Sequence, residues 1–119
     1  MSVRGIRGAI TAENNDKDSI FVATQELVRQ VIVANQLATE DICSIIFTVT
    51  QDLDAAFPAT AARALGLDLV PMICSYEIAV PGSLPRCIRL LMHVNTEKKQ
   101  SEIVHVYLKG ARSLRPDLV

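Results

Sequence analysis

The sequence has no tryptophan and few other aromatic residues, three phenylalanines and two tyrosines among 119 positions. It also lacks an excess of positive charge, because 12 lysines and arginines stand against 13 aspartates and glutamates. Proteins that bind nucleic acids need a basic surface, often with aromatic side chains that stack on bases. The composition therefore argues against binding to nucleic acid.

Cysteine is scarce, and no two of the three cysteines form a Cys-x-x-Cys pair. Cys43, Cys74 and Cys87 are widely spaced and odd in number, which is typical of a reducing compartment without a disulfide framework. The sequence has neither a signal-peptide pattern at its start nor an uninterrupted apolar run of about 18 residues. We therefore expect a cytoplasmic protein that makes no contact with a membrane.

Hydrophobic residues, by contrast, are abundant. They make up 50% of the chain, and the mean hydropathy is +0.27. A chain of this length fits a single domain spanning residues 1–119, which buries roughly two-thirds of its unfolded surface. An apolar excess in so small a domain favours further burial between subunits.

The hydrophobic periodicity predicts alternating strands and helices. Strands are expected over residues 3–10, 42–49, 69–74, 87–94 and 103–108. One helix would begin after Asp16 or Asp18 and run to about Asn35, and a second, PATAARAL, would begin at Pro58 and end at Gly66. This order predicts an α+β fold, a mixed sheet of about five strands with helices packed on one face.

The predicted fourth strand, CIRLLMHV, carries an arginine with apolar residues on both sides. Successive strand residues point to opposite faces, so Arg89 lies opposite a wholly apolar face. Burying a guanidinium is costly unless an anion pairs with it, and its planar fork suits a carboxylate. The carboxylate would come from Glu77, in the loop before this strand, or from a bound ligand.

Two further polar residues fall on the same predicted face, Arg7 in the first strand and Tyr107 in the fifth. A solvated surface is the alternative for each of them. His93 and His105 have no partner at metal-ligand spacing, so we expect no metal site. The sequence contains no paired carboxylates, Ser-His-Asp order or glycine-rich phosphate loop. These residues would bind an anion rather than perform covalent or acid–base chemistry.

Cys74 is a possible nucleophile, but a reactive thiol needs a basic partner close by. The sequence places no such partner near it. A buried structural cysteine is therefore the favoured interpretation.

Several stretches together resemble a known family. RGIRGAIT, TQDLDAAFPATAAR, VPMICSYE, CIRLLMHV, HVYL and LRPDL occur in the order found in the small trimeric chorismate mutases and span nearly all of the chain. The resemblance implies a trimeric pseudo-α/β barrel that rearranges chorismate to prephenate in phenylalanine and tyrosine biosynthesis. This Claisen-type rearrangement is unimolecular, so the resemblance implies no cofactor.

The resemblance also implies roles for the candidate residues. Arg89 would face the ether oxygen of chorismate, and Glu77 would accept a hydrogen bond from the ring hydroxyl. Arg7 and Tyr107 would bind a substrate carboxylate, and Cys74 would line the site near the hydroxyl.

Further residues would complete the site at a subunit interface. The resemblance assigns Phe57, Ala59, Thr60 and Arg63 to the neighbouring subunit. Leu114 and Arg115, in the C-terminal segment, would close over the substrate. Thr60 departs from the lysine common at that position, and the segment after LRPDL is short, so substrate affinity and closure are in question.

Three alternatives stay open at this point. A small trimeric enamine/imine deaminase also holds a carboxylate with an interface arginine, and a binding module for an aromatic metabolite needs no catalysis. A purely structural trimer would leave Arg89 without a partner. A second arginine, with Glu77 and Tyr107, favours a dianionic ligand with a polar ring.

Overall fold

The computed structural model describes residues 1–115, which form an α+β fold. The strands and helices, in chain order, are β1 (Ser2–Thr11), α1 (Lys17–Ala34), β2 (Ile42–Val49), α2 (Pro58–Arg63), β3 (Met72–Tyr76), β4 (Cys87–Thr96) and β5 (Val106–Tyr107). Short 3-10 turns cover Thr39–Asp41, Gln100–Glu102 and Lys109–Leu114. The predicted fold class is confirmed.

The five strands form one mixed sheet in the order β3-β2-β4-β1-β5. β4 runs antiparallel to both of its neighbours, while the outer strands β3 and β5 run parallel to β2 and β1. β4 is therefore the central strand, and both of its edges are hydrogen-bonded. Arg89 is its third residue and lies between Ala9 of β1 and Thr48 of β2.

Both helices cover one face of the sheet. The Asp16 carboxylate caps α1 by accepting a hydrogen bond from the Ser19 backbone N–H at 2.7 Å. The apolar stripe of α1 packs on the sheet, and Ile20, Leu27 and Val31 are fully buried there. The helices lie on one face, as predicted. On the other face, residues of the 3-10 turn Lys109–Leu114 cover part of the sheet, where Ala9, Cys87 and Tyr107 are buried.

The alternation along β4 separates the two faces. Ile88, Leu90, Met92 and Val94 are buried in the helix-covered core, as predicted. Arg89 and its alternate neighbours therefore point to the opposite side. We call this side the open face; its side chains include those of Arg7, Ile46, Thr48, Arg89 and Leu91.

Three predicted boundaries are wrong. β3 begins at Met72 rather than at residue 69, and α2 ends at Arg63, with Gly66 beyond its C-cap in a left-handed turn at φ +97°. The fifth strand shrinks from six residues to two. At Val104, a side chain takes the place of a partner strand. The Asn35 amide accepts the Val104 N–H at 2.8 Å and donates to the Val104 carbonyl at 2.9 Å. Val104 itself is 45% exposed.

Candidate active site

A cleft of about 440 Å³ opens on the open face, over the first half of β4. It brings together Arg7, Arg89 and Tyr107, which the strand alternation had assigned to one surface. Its full lining is Arg7, Gly8, Ile46, Thr48, Arg89, Leu90, Leu91, Tyr107, Leu114 and Arg115. Three arginines around one cleft make it suited to an anion.

Arg89 pairs with Glu77, the carboxylate that the sequence offered as its local partner. Arg89 Nε lies 3.2 Å from Glu77 Oε1, and the two side chains are 40% and 24% exposed. Within residues 1–115, the buried Nε atom has no hydrogen bond of good geometry, so the contact is an ion pair with poorly directed donors. The side chain as a whole is partly exposed and lines the cleft, so a ligand there can reach the guanidinium.

On the edge of β1 that faces β5, the backbone N–H of Arg7 is bound by a side chain rather than by a strand. This N–H donates to His105 Nδ1 at 2.9 Å, a contact between residues far apart in the sequence. Burial lowers the pKa of His105, and the nearby charges of Arg7 and Arg115 lower it further. The imidazole accordingly stays neutral and accepts at Nδ1.

A second cleft of about 520 Å³ adjoins the first. Glu77, Cys87, Arg89 and Leu114 line it, together with the loop that follows β3. Arg89 and Leu114 belong to both clefts, so the Arg89–Glu77 pair stands where the two meet. Burial raises the pKa of the Cys87 thiol, although the Arg89 charge opposes this, and the thiol stays protonated at neutral pH.

The segment after β5 forms one wall of both clefts. It carries Leu114 and Arg115, the residues predicted to close over the substrate. Two hydrogen bonds attach it to β1, from Leu108 N to Ala9 O at 2.9 Å and from Gly110 N to the Thr11 hydroxyl at 3.1 Å. The rest of the LRPDL motif, beyond residue 115, lies outside the described residues.

The other predicted site residues lie away from this cleft. Ala59, Thr60 and Arg63 belong to α2, on the helix-covered side of the sheet, and Phe57 precedes α2 with its side chain exposed. The Arg63 guanidinium donates to the Thr60 hydroxyl at 3.3 Å. The structure therefore does not bring these four residues to the arginine cleft of the same chain.

Cys74 also lies away from the arginine cleft. It is partly buried and packs against the core, beside Phe47, which it faces in the β2–β3 register. It shares the helix-covered face rather than the open face that carries Arg89. Within one chain, Cys74 therefore belongs with the α2 residues.

Sequence reasoning missed several residues around the cleft. Ile46 and Thr48 alternate with buried Ile45 and Phe47 along β2, a period of two that would have identified them as open-face residues. Asp52 accepts the backbone N–H of Arg86, just before β4, with both carboxylate oxygens. No local sequence pattern indicates this contact.

Over residues 1–115, no three histidine, cysteine, aspartate or glutamate side chains are grouped so that they could hold a metal ion. None of the helices in this described part is long and apolar enough to span a bilayer.

Comparison with known proteins agrees with the geometry. The chain is 50% identical over 117 residues to chorismate mutase AroH of Thermus thermophilus, covering 98% of this chain and 96% of that one. It is 43% identical over 119 residues to chorismate mutase AroH of Bacillus subtilis, covering 99% and 94%.

A solved structure agrees as well. The fold matches a chorismate mutase from Clostridium thermocellum with a TM-score of 0.91 and 53% identity, over 92% of this chain and 98% of that chain. The family model for chorismate mutase type I matches residues 3–118. The chain therefore belongs to the type I chorismate mutase family.

Proposed function

We propose that the protein rearranges chorismate to prephenate, and that the arginine cleft is one half of its active site. The observation that carries this proposal is the position of Arg89. It stands on the central strand, beside Glu77 at 3.2 Å, and its partly exposed side chain lines the cleft. The rearrangement is unimolecular and transfers no proton, so it needs fixed charges rather than an acid, a base or a nucleophile.

The charge distribution of the reaction assigns roles to this pair. The C–O bond of chorismate breaks ahead of C–C bond formation, so negative charge gathers on the ether oxygen and positive charge on the ring. Arg89 would stabilise the ether oxygen, an effect on the order of 3–4 kcal/mol for one preorganised donor. Glu77 would accept a hydrogen bond from the ring hydroxyl and complement the positive ring.

The remaining cleft residues would orient the substrate. Arg7 and Tyr107 would bind one carboxylate, and Leu114 and Arg115 would cover the ligand from the C-terminal wall. Chorismate must adopt a compact, chair-like conformation before it reacts. Holding it there removes much of the entropic barrier to reaction.

We further propose a cytoplasmic homotrimer in which the next subunit supplies Phe57, Ala59, Thr60, Arg63 and Cys74. Large apolar side chains support this assembly, because they stay exposed on the open face and on the β3 side of the fold: Val3, Leu69, Ile73, Ile78 and Leu91. In a ring, one surface of each subunit meets a different surface of the next, so the cleft of one chain would face α2 and β3 of another.

A direct assay tests the reaction. Purified protein is mixed with chorismate, the loss of its ultraviolet absorbance is followed, and the product is identified as prephenate. Saturable turnover with no added metal or cofactor is the expected result. Binding without turnover would favour the metabolite-binding module, and neither binding nor turnover would favour the deaminase alternative.

Mixing two variants that each turn over low concentrations of chorismate slowly tests the shared site. Arg63→Ala and Arg89→Ala chains are unfolded together, refolded and verified as mixed trimers. Random mixing would place both wild-type arginines at about one quarter of the interfaces, so activity should recover to that level. No recovery in verified mixed trimers would mean that both arginines serve the site of one subunit.

A further inference from the structure

A carboxylate outside the clefts ties the start of β4 to the end of β2. Asp52 accepts the Arg86 backbone N–H with both oxygens, at 2.9 and 3.2 Å, and it also accepts the Thr50 hydroxyl. Thr50 Oγ1 in turn accepts the Cys87 N–H at 3.0 Å. The first residue of the central strand is thus fixed by side chains of the TQDLD loop.

Arg86 has a backbone conformation that depends on this support. Its φ is +48°, in the left-handed region that residues other than glycine seldom adopt. Two contacts with Ala12 help to hold it, one from Arg86 Nε to Ala12 O and one from Ala12 N to Arg86 O. The Asp52 carboxylate satisfies the remaining backbone N–H. Without it, we expect Arg86 to relax towards negative φ and to shift the start of β4.

The clamp acts on the loop that separates the two proposed catalytic residues. This loop begins after Glu77, whose N–H donates to Val49 O at 2.8 Å, and ends at Arg86, which Asp52 holds. Both ends are therefore anchored to residues 49–52. Arg89 follows Arg86 by three positions, so the clamp fixes where Glu77 and Arg89 stand relative to each other.

The ionisation of Asp52 suits this role. Partial burial disfavours its charged form, but hydrogen bonds from Thr50 and Arg86 outweigh that effect and lower its pKa overall. The carboxylate is therefore charged at neutral pH and can accept both donors. An asparagine would keep one acceptor oxygen in the same place.

We propose that Asp52 is a positioning residue for the rearrangement, which sets the Glu77–Arg89 geometry through the backbone of Arg86 without touching the substrate. This inference rests on the proposed roles of Glu77 and Arg89. It concerns the chemical step more than substrate binding, because Arg7 and Tyr107 lie on other strands.

The test compares the steady-state kinetics of Asp52→Ala, Asp52→Asn and Asp54→Ala with chorismate. Asp54 is the control, because it lies in the same loop and its carboxylate also accepts a hydrogen bond, from the side-chain amide of Asn15 at 2.8 Å. Asp52→Ala should lower kcat about tenfold with KM changed less than twofold, since small misplacements of catalytic groups cost this much. Asp52→Asn should recover most of kcat, and Asp54→Ala should match the wild type.

A second-site variant separates positioning from stability. Glycine adopts positive φ freely, so Arg86→Gly in the Asp52→Ala background should return kcat to within about threefold of the wild type. If Asp52→Ala alone does not fold, this double variant decides the question by the same criterion. A purely structural role would lower only the melting temperature and leave kcat of the folded enzyme unchanged.

Three results would overturn the inference: a wild-type kcat for Asp52→Ala, an equal loss in Asp54→Ala, or a double variant that stays tenfold slow. Arg89→Ala, measured alongside, distinguishes a failure of the proposed active site from a failure of the positioning role of Asp52. If Arg89→Ala retains turnover, the proposed site is wrong. If Arg89→Ala loses turnover while Asp52→Ala keeps it, only the positioning role of Asp52 is wrong.

Discussion

Two groups of candidate residues occupy opposite sides of the sheet and differ in how they are held. The sheet group, Arg7, Arg89 and Tyr107, lies on three neighbouring strands whose backbones are fixed by ladder hydrogen bonds or by His105. The edge group, Phe57, Thr60, Arg63 and their neighbours, lies on and beside a six-residue helix. Two polar side chains of the edge group, those of Arg63 and Thr60, are joined by an exposed hydrogen bond of 3.3 Å.

This difference indicates a division of labour. Donors that stabilise a transition state must be rigid before the substrate arrives, and the central strand of a sheet provides that rigidity. Residues that recognise the ligand tolerate a looser base, especially where a second subunit would order them. We therefore expect losses in the sheet group to lower kcat and losses in the edge group to raise KM.

The largest effect is expected for Arg89→Ala. Removing one preorganised donor should lower kcat about 10²- to 10³-fold, while thermal unfolding changes little because the side chain lies on the open face. Arg29→Ala, an exposed arginine on α1, is the control and should behave as the wild type. Near-normal turnover by a folded Arg89→Ala variant would remove Arg89 from the chemical step.

A smaller effect is expected for Arg63→Ala. If the edge group only binds substrate, KM should rise about tenfold or more while kcat falls far less. Steady-state kinetics over a wide chorismate range would separate the two constants, with Arg29→Ala again as the control. A loss confined to kcat would contradict the division between the groups.

A modest gain in apparent affinity for chorismate is expected from Thr60→Lys. A second cation beside Arg63 should attract the dianionic substrate and lower KM about two- to threefold at low salt, and screening should remove the gain near 1 M salt. Thr60→Met is the matched control, since it adds length without charge and also removes the Thr60–Arg63 hydrogen bond. An equal gain with methionine, or one that survives high salt, would exclude the electrostatic explanation.

The smallest effect concerns His105, whose side chain binds the backbone N–H of Arg7 in the sheet group. Because the pKa of His105 in the folded protein lies below its ordinary value of 6.5, the unfolded chain binds a proton first as the pH falls. The contribution of His105 to stability is therefore complete above pH 6.5 and is lost below it.

Unfolding measured from pH 5 to 8 would test this effect. His105→Asn keeps an acceptor for the Arg7 N–H but cannot titrate, so its stability should depend less on pH below 6.5 than that of the wild type. His93→Asn, which removes the chain's other imidazole beside Ser44, is the control. Parallel curves for wild type and His105→Asn would contradict the assignment.

Local sequence patterns were enough for much of the fold. The alternation in CIRLLMHV predicted both faces of β4, and Asp16, one of two predicted caps, begins α1. The same alternation put Arg7, Arg89 and Tyr107 on one surface. These features depend on residues close in sequence, whose side-chain direction follows from a period of two or 3.6.

The sequence by itself thus determined the α+β class, the helix-covered core and the open-face arginines, because each follows from local periodicity. Only the tertiary structure decided that β5 pairs with β1, that Cys74 faces away from Arg89, and that Asp52 fixes Arg86. Each of these depends on which distant segments become neighbours. Pairing between strands is selected by the packing of the whole chain, and a period of two carries no information about the partner.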